Sequence, residues 1–288
     1  MIKYAVITDE ISQDINIAAS LAKKYNLEGL EIRSVNDRGP HQLTDADISE
    51  IKEAMEKNSL ECCAISAPLF KCNLNDKEIA EQMEILEKII SLAKKLGTKC
   101  IRGFTFFKEE DFETALPKIA EEYKKIIPIL EKEDMYVYIE SDPSVNASCG
   151  ETLAKVIEAV GSDRVGGLWD PGNDIYSPEY EKPYPDGYSF MKKFVRHVHI
   201  KDAVRNGDNA DGVAFGEGEV DFEGQLTALR DDGYDGYIVM ETHYRPKSII
   251  SDELLLRPQG SDFSSGGYEA TDECLEKFCK LANKIFSK

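Results

Sequence analysis

Four short apolar runs between residues 135 and 241 finish on side chains that bind divalent metals. MYVYIE ends on Glu140, RVGGLWD on Asp170, VRHVHI carries His199, and GYIVME ends on Glu241. Three carboxylates and one imidazole aimed at a common point form a mostly oxygen donor set. That set suits one Mn²⁺, with Mg²⁺, Co²⁺ and Zn²⁺ as alternatives, rather than a closed thiolate zinc site. Each residue alone reads as a polar side chain entering the next loop; the same place in four consecutive runs reads as a site. His197 stands two residues before His199, on the same side of its strand. Only the one nearer the C-terminal end reaches the mouth, so His199 is the candidate ligand and His197 a hydrogen-bonded side chain one layer deeper.

The elements that must position these residues follow from hydrophobic period. Runs at 3–8, 29–35, 60–68, 98–104, 135–140, 164–170, 195–202 and 236–241 are rich in β-branched residues and read as strands. Between them lie stretches of helical period: near 13–25, after Thr44-Asp45, a long one closed by Gly97, one whose end Pro128 is expected to kink, then 151–160, 187–193, 221–232 and 271–286. Eight strand–helix units predict a parallel sheet, and eight such units close into a single α/β (β/α)8 TIM barrel spanning 1–288. An open doubly wound sheet is the alternative, but no GxGxxG follows the first strand. In such barrels chemistry gathers at the C-terminal ends of the strands, where the four candidates fall.

The charge balance limits the partners. With 35 Lys and Arg against 54 Asp and Glu, a net charge of −19 repels phosphate backbones and anionic headgroups, so neither nucleic acid nor a membrane is an expected partner. No stretch approaches a membrane-spanning apolar length, and MIKYAVITDE turns acidic too early for a signal peptide. The seven Cys form no CxxC pair, and Cys62-Cys63 lie inside an apolar run. A cytoplasmic protein with reduced thiols is the expectation.

At this point the motifs reach a resemblance. YIES (138–141), LWDPGN (168–173), VHIKD (198–202), FGEGEVDF (215–222) and GYDGYIVMET (233–242), in this order and spacing, resemble the sugar isomerase/epimerase superfamily of xylose-isomerase-like barrels. Within it the chain is similar to the ketose 3-epimerases and the sugar-phosphate-isomerase-like proteins. The resemblance implies that Glu140, Asp170, His199 and Glu241 hold one divalent metal, and that Glu140 and Glu241 double as the catalytic proton-transferring pair. It places Arg205, six residues after the ligating His, at the substrate. The family has a substrate-contacting His three residues after its ligating Asp; this chain has Asn173 there, which can hydrogen-bond a hydroxyl but cannot shuttle a proton near neutral pH.

Further residues at the strand ends complete a polar pocket: Glu10, Glu31, Arg33, Ser66 and Arg102 from the first four, and His243 two beyond Glu241. A guanidinium at Arg33 or Arg102 suits a substrate carboxylate or phosphate, against the competing reading of a structural Arg–Glu pair at the rim. His243 is a substrate-contact candidate or an ordinary loop histidine. Tyr176, Tyr180, Tyr184 and Tyr188 recur every four residues, but Pro178, Pro183 and Pro185 forbid a continuous helix. The connection 242–269 is long, and Leu254, Leu255, Leu256 and Phe263 make it too apolar for disorder. It reads as a lid or as an interface arm of a homo-oligomer, with Arg245 or Arg257 reaching substrate.

The expected activity is that of a divalent-metal-dependent isomerase or epimerase acting on a small-molecule carbohydrate: a ketose, sugar acid or polyol derivative. Proton transfer by Glu would pass through an enediolate. The alternative keeps the metal but ends in elimination, as a dehydratase or lyase on a keto-sugar, inosose or oxidised glycoside. A non-catalytic sugar-binding relative would have left the four ligand positions free to drift. The superfamily's abasic-site endonucleases have a His-rich site of several metals, which four His in all and a charge of −19 disfavour.

Overall fold

The computed structural model describes residues 2–108, 111–179, 181–207 and 209–286; Tyr180 lies outside them. Elements alternate along the chain: β1 (Lys3–Ile7), α1 (Ile15–Lys24), β2 (Gly29–Ile32), α2 (Asp45–Asn58), β3 (Glu61–Leu69), α3 (Asp76–Leu96), β4 (Cys100–Gly103), α4 (Phe112–Glu133), β5 (Tyr136–Glu140) and α5 (Gly150–Val160). They continue with β6 (Val165–Trp169), α6 (Pro171–Tyr176), α7 (Tyr188–Met191), β7 (Val195–Ile200), β8 (Asp202–Asn206), β9 (Asn209–Val213), α8 (Phe222–Asp231), β10 (Tyr237–Met240), α9 (Asp252–Leu256), α10 (Gly260–Ser264) and α11 (Gly267–Phe286). Eight parallel strands close in the order β1-β10-β7-β6-β5-β4-β3-β2, with β2 paired back to β1. This is the (β/α)8 barrel that the eight periodic units predict.

Local signals act where they stand in the sequence. Thr44 and Asp47 form a reciprocal capping box at the start of α2, and Gly97 closes α3 at φ 80. α4 carries Pro117 and Pro128 inside it and runs on to Glu133. Pro128 is exposed, as is Lys124 one turn earlier, so the carbonyl that proline leaves unbonded meets water. The antiparallel hairpin β8–β9, unexpected from the strand pattern, grows directly out of β7. It has a local signal in Gly207, which follows the last paired residue of β8 at φ 63, a conformation glycine adopts without strain. The Asp202 carboxylate beneath it accepts the backbone N–H groups of Gly216, Gly218 and Val220, so the VHIKD and FGEGEVDF motifs are one structural unit.

The core has two parts. Alternate strand residues such as Val6, Leu30, Ile101, Val137, Val198 and Ile238 pack outward against the helices. A smaller cluster of Ala5, Ile7, Cys63, Ala64, Cys100 and Val239 fills the barrel's interior. The interior residues advance by two along each strand, and the next step up each strand is polar: Asp9 above Ile7, Arg102 above Cys100, Glu140 above Tyr138, Glu241 above Val239. A polar layer therefore caps an apolar one at the mouth. All seven cysteines are free thiols, six buried and Cys279 half-buried.

Candidate active site and metal centre

The capping layer brings Glu140, Asp170, His199 and Glu241 together, each buried, with one donor atom apiece lying within 4.8 Å of the other three. The inward atoms are identifiable from what holds the others. Asp170 Oδ1 accepts the Gly172 N–H at 2.9 Å, capping α6. Glu140 Oε2 accepts from Arg102 at 3.1 Å, and Glu241 Oε1 from Arg33 at 2.6 Å. His199 Nε2 lies 3.0 Å from Glu31 Oε1, while its Nδ1 faces Glu140 Oε1 at 3.3 Å and Glu241 Oε2 at 3.6 Å. Each of the four is tethered on one side and presents one atom inward.

Glu31 reaches across the barrel from β2 and also pairs with His197 Nε2 at 2.7 Å. His197 is thus the hydrogen-bonded histidine one layer below the mouth. Burial pushes the Glu31 carboxyl up, but the two imidazoles outweigh it and hold Glu31 well below the usual carboxylate range. Burial opposes charge on His199, yet Glu31, Glu140 and Glu241 together raise it well above an ordinary imidazole. Glu140 and Glu241 are likewise held ionised against burial, Glu140 chiefly by Arg102 and Glu241 by Lys201 and His243. Asp170 behaves differently. Burial, opposed by Lys201 but reinforced by Glu241 and Glu140, pushes it up to about 6. Three crowded carboxylates with an imidazole nitrogen are a donor set that a divalent cation fits in number, chemistry and burial.

The other predicted residues divide into those at the mouth and those turned elsewhere. A cleft of about 690 Å³ opens above the cage, and Arg33, Arg102, Asn173 and His243 line it. Arg33 is fully engaged by carboxylates: Nε to Asp9 at 2.9 Å, Nη2 to Glu10 at 2.6 Å and Nη1 to Glu241. Arg102 gives its remaining donors to the carbonyls of Ser66 and Ala67. Asn173 donates to the Ser141 carbonyl at 2.7 Å and to Glu140 Oε1 at 3.3 Å. His243 Nδ1 sits 3.0 Å from Glu10 Oε1 and 3.7 Å from Glu241 Oε1, giving a second, adjacent group of metal-competent atoms. Arg205 lies on the hairpin and donates to the carbonyls of Ser177 and Asp174, away from the cleft lining. Arg245 donates to the carbonyls of Phe263, Ser265 and Tyr244, whereas Arg257 lines the cleft beside Leu255 and Leu256.

Two charged residues of the site have no counterpart in the expectations. Lys201 is buried with Nζ 2.5 Å from Asp170 Oδ2 and 2.7 Å from Glu241 Oε2, and Asp9 anchors Arg33. The signal for Lys201 is parity, since His197, His199 and Lys201 share one face of the chain leaving β7.

A profile of the xylose isomerase-like TIM barrel family matches residues 19–261, and the chain belongs to that family. Among curated proteins it is 23% identical over 239 residues to an inosose isomerase of Bacillus velezensis, covering 79% of this chain and 82% of that protein. It is also 23% identical over 236 residues to an inosose dehydratase of Clostridium perfringens, covering 69% and 75%. The crystal structure of the IOLI protein, which carries a bound zinc atom, superposes with a TM-score of 0.77 at 18% identity over 99% of this chain and 100% of that one, a likeness of fold. Among the described residues no helix is long and apolar enough to cross a membrane.

Proposed function

We propose that the protein is a divalent-metal-dependent isomerase or epimerase of a ketose, sugar acid or polyol derivative, with Glu140, Asp170, His199 and Glu241 as the ligands. The observation that carries this reading is the cage itself: four buried donors, each tethered on one side and converging on the other. The inosose isomerase supports the reaction class, and the zinc atom in the IOLI structure supports a divalent ion. A divalent ion held there would polarise a substrate carbonyl and offset the charge that develops beside it.

The chain's own groups do the rest. Glu140 on β5 and Glu241 after β10 are separated around the barrel by β6 and β7, so they approach a bound sugar from different sides. Both are held ionised, which suits a base that takes a proton from the carbon beside the carbonyl. Returning that proton to the former carbonyl carbon, with the hydroxyl proton passing between the two oxygens, gives the isomer, and returning it to the opposite face of the original carbon gives the epimer. Arg102 and Arg33 fix the outer oxygens of the two glutamates. Asn173 offers a neutral amide in the cleft for a substrate hydroxyl.

The inosose dehydratase relative supports a second reading. In it the same proton removal is followed by loss of the hydroxyl on the next carbon as water, leaving a carbon–carbon double bond. Incubating the metal-loaded protein with an inosose and with ketoses in deuterated water tests both readings. Solvent deuterium in an isomeric or epimeric product of otherwise unchanged mass supports the first reading. A product one water lighter supports the second, and an isomeric or epimeric product free of solvent deuterium contradicts both.

Glu31 has a role in this reading, since its bond to His199 Nε2 leaves Nδ1 as the inward donor. Glu31→Gln is expected to weaken Mn²⁺ or Zn²⁺ binding by about 10- to 100-fold, the usual cost of losing a ligand's supporting partner. Isothermal titration measures it, and undiminished affinity would reduce Glu31 to packing.

Residues 242–269 form the wall of the cleft above Glu241 through Leu255, Leu256, Arg257, Pro258 and Gln259. We assign them the role of excluding water while the proton is in transit. None of the residues of α9 is buried, so Leu254, Leu255 and Leu256 contribute little to the barrel's stability. Changing all three to Ser is expected to lower kcat/KM by about tenfold or more with the melting temperature nearly unmoved. Unchanged turnover would show that the segment is only a surface excursion.

A further inference from the structure

Three cations surround the cage, and they do not treat it alike. Arg33 holds Glu241 by Oε1 and Arg102 holds Glu140 by Oε2, the oxygens that point away from the shared centre. Lys201 alone of the three sits on inward oxygens: Oδ2 of Asp170 at 2.5 Å and Oε2 of Glu241 at 2.7 Å. Asn173 also touches an inward atom, Glu140 Oε1, but at 3.3 Å, and its shorter bond goes to the Ser141 carbonyl. The Lys201 ammonium therefore uses two of the four atoms that the proposed ligand set must give to a divalent ion.

The placement is built in. A Cβ at Gly172 would lie 2.5 Å from Lys201 Cγ and 2.6 Å from its carbonyl oxygen, so the glycine of the DPGN turn makes room for the lysine stem. The side chain is buried, and both of its carboxylate partners are buried with it. Buried carboxylates left without a cation are strongly unfavourable, and a lysine ammonium is a compact charge on a flexible stem that can hold them and then move. The guanidiniums of Arg33 and Arg102, each spread over several partners, lack that freedom.

We infer that Lys201 is a built-in counterion of the metal-free cage: its ammonium holds the inward oxygens of Asp170 and Glu241 until a divalent ion arrives, and must leave them when the ion binds. The inference rests on the metal reading above. Loading the metal then includes breaking two ion pairs, so the wild-type protein gives up affinity for the ion and keeps a stable barrel without it. The freed ammonium stays in the cleft that Lys201 already lines.

Titration of the purified full chain with Mn²⁺ and with Zn²⁺, before and after substituting Lys201→Met, tests this. Met keeps the length of the stem and removes the charge. The variant should bind either ion at least tenfold more tightly than wild type, melt at a lower temperature without metal, and gain more from metal addition. Lys71→Met is the control, because Lys71 lines the same cleft but pairs with Asp142 rather than with a donor. An equal gain in the Lys71 variant would mean that long-range charge is responsible, and the inference falls. It also falls if wild type binds metal and Lys201→Met binds no more tightly. If neither binds either ion, the metal reading itself is overturned. Should Lys201→Met fail to fold, crystal structures of the wild-type protein with and without Mn²⁺ decide. Lys201 Nζ displaced from Asp170 and Glu241 in the loaded form upholds the inference, and Nζ still seated on both overturns it.

Discussion

Glu140→Gln and Glu241→Gln are each expected to lower kcat by about 10²- to 10⁴-fold, the range that removal of a positioned general base produces. Gln keeps the shape and an inward carbonyl oxygen, so at saturating metal the cage can still fill while the group that takes the proton is gone. With that oxygen inward the amide nitrogen faces Arg102 at 140 and Arg33 at 241 and cannot accept from either, so the outer tether is lost and the comparison is made at saturating metal. Because Glu140 and Glu241 are both held ionised in the wild-type protein, neither needs to lose a proton before it acts as base. The two variants should separate in deuterated water. The one lacking the proton-abstracting Glu should fail to exchange the substrate's own hydrogen, and the one lacking the returning Glu should exchange it without completing the conversion. If both variants turn over within a few-fold of wild type at saturating metal, the glutamates are ligands alone.

The second large effect is expected at Asp170. Asp170→Ala removes one inward donor and leaves the Lys201 ammonium with Glu241 alone, so the cage loses both a ligand and its charge balance. Metal affinity should fall by more than about 100-fold, beyond what loss of a supporting partner costs, and activity should fall with it. Alanine also deletes the cap on α6 that Asp170 Oδ1 provides, a loss of about 1 kcal/mol that is not itself the effect sought. Asp170→Asn separates the two, since the amide oxygen can keep the Gly172 contact while the charge is gone. Metal analysis showing full occupancy in the purified Ala variant would mean the ion sits elsewhere.

The barrel was legible because period changes sharply eight times along the chain, and because the helices stop at visible signals such as Gly97 and Gly161. The four cage residues were legible for a related reason: Glu140, Asp170, His199 and Glu241 interrupt runs that a doubly buried strand would keep apolar. What escaped was whatever depends on closure of the ring. Glu31 and His199 are far apart in sequence, and only the barrel shows that they meet. Arg33 reads in sequence as a substrate anchor or as half of an ion pair; its three carboxylate partners come from β1's end and from beyond β10. Lys201 follows the last residue of β7 and reads as the first exposed residue of a loop, although its parity with His197 and His199 aims it inward. Arg205 shows the reverse, a position matched to the family motif whose side chain the β8–β9 hairpin carries to α6 instead.

The most direct measurement is anomalous diffraction from crystals of the wild-type protein grown with Mn²⁺, recorded near the manganese edge. One strong peak is expected within about 2.0–2.4 Å of Glu140 Oε1, Asp170 Oδ2, His199 Nδ1 and Glu241 Oε2, the range of metal–nitrogen and metal–oxygen bonds in comparable sites. A peak among Glu10, Glu241 and His243 instead, or none at saturating Mn²⁺, would contradict this placement.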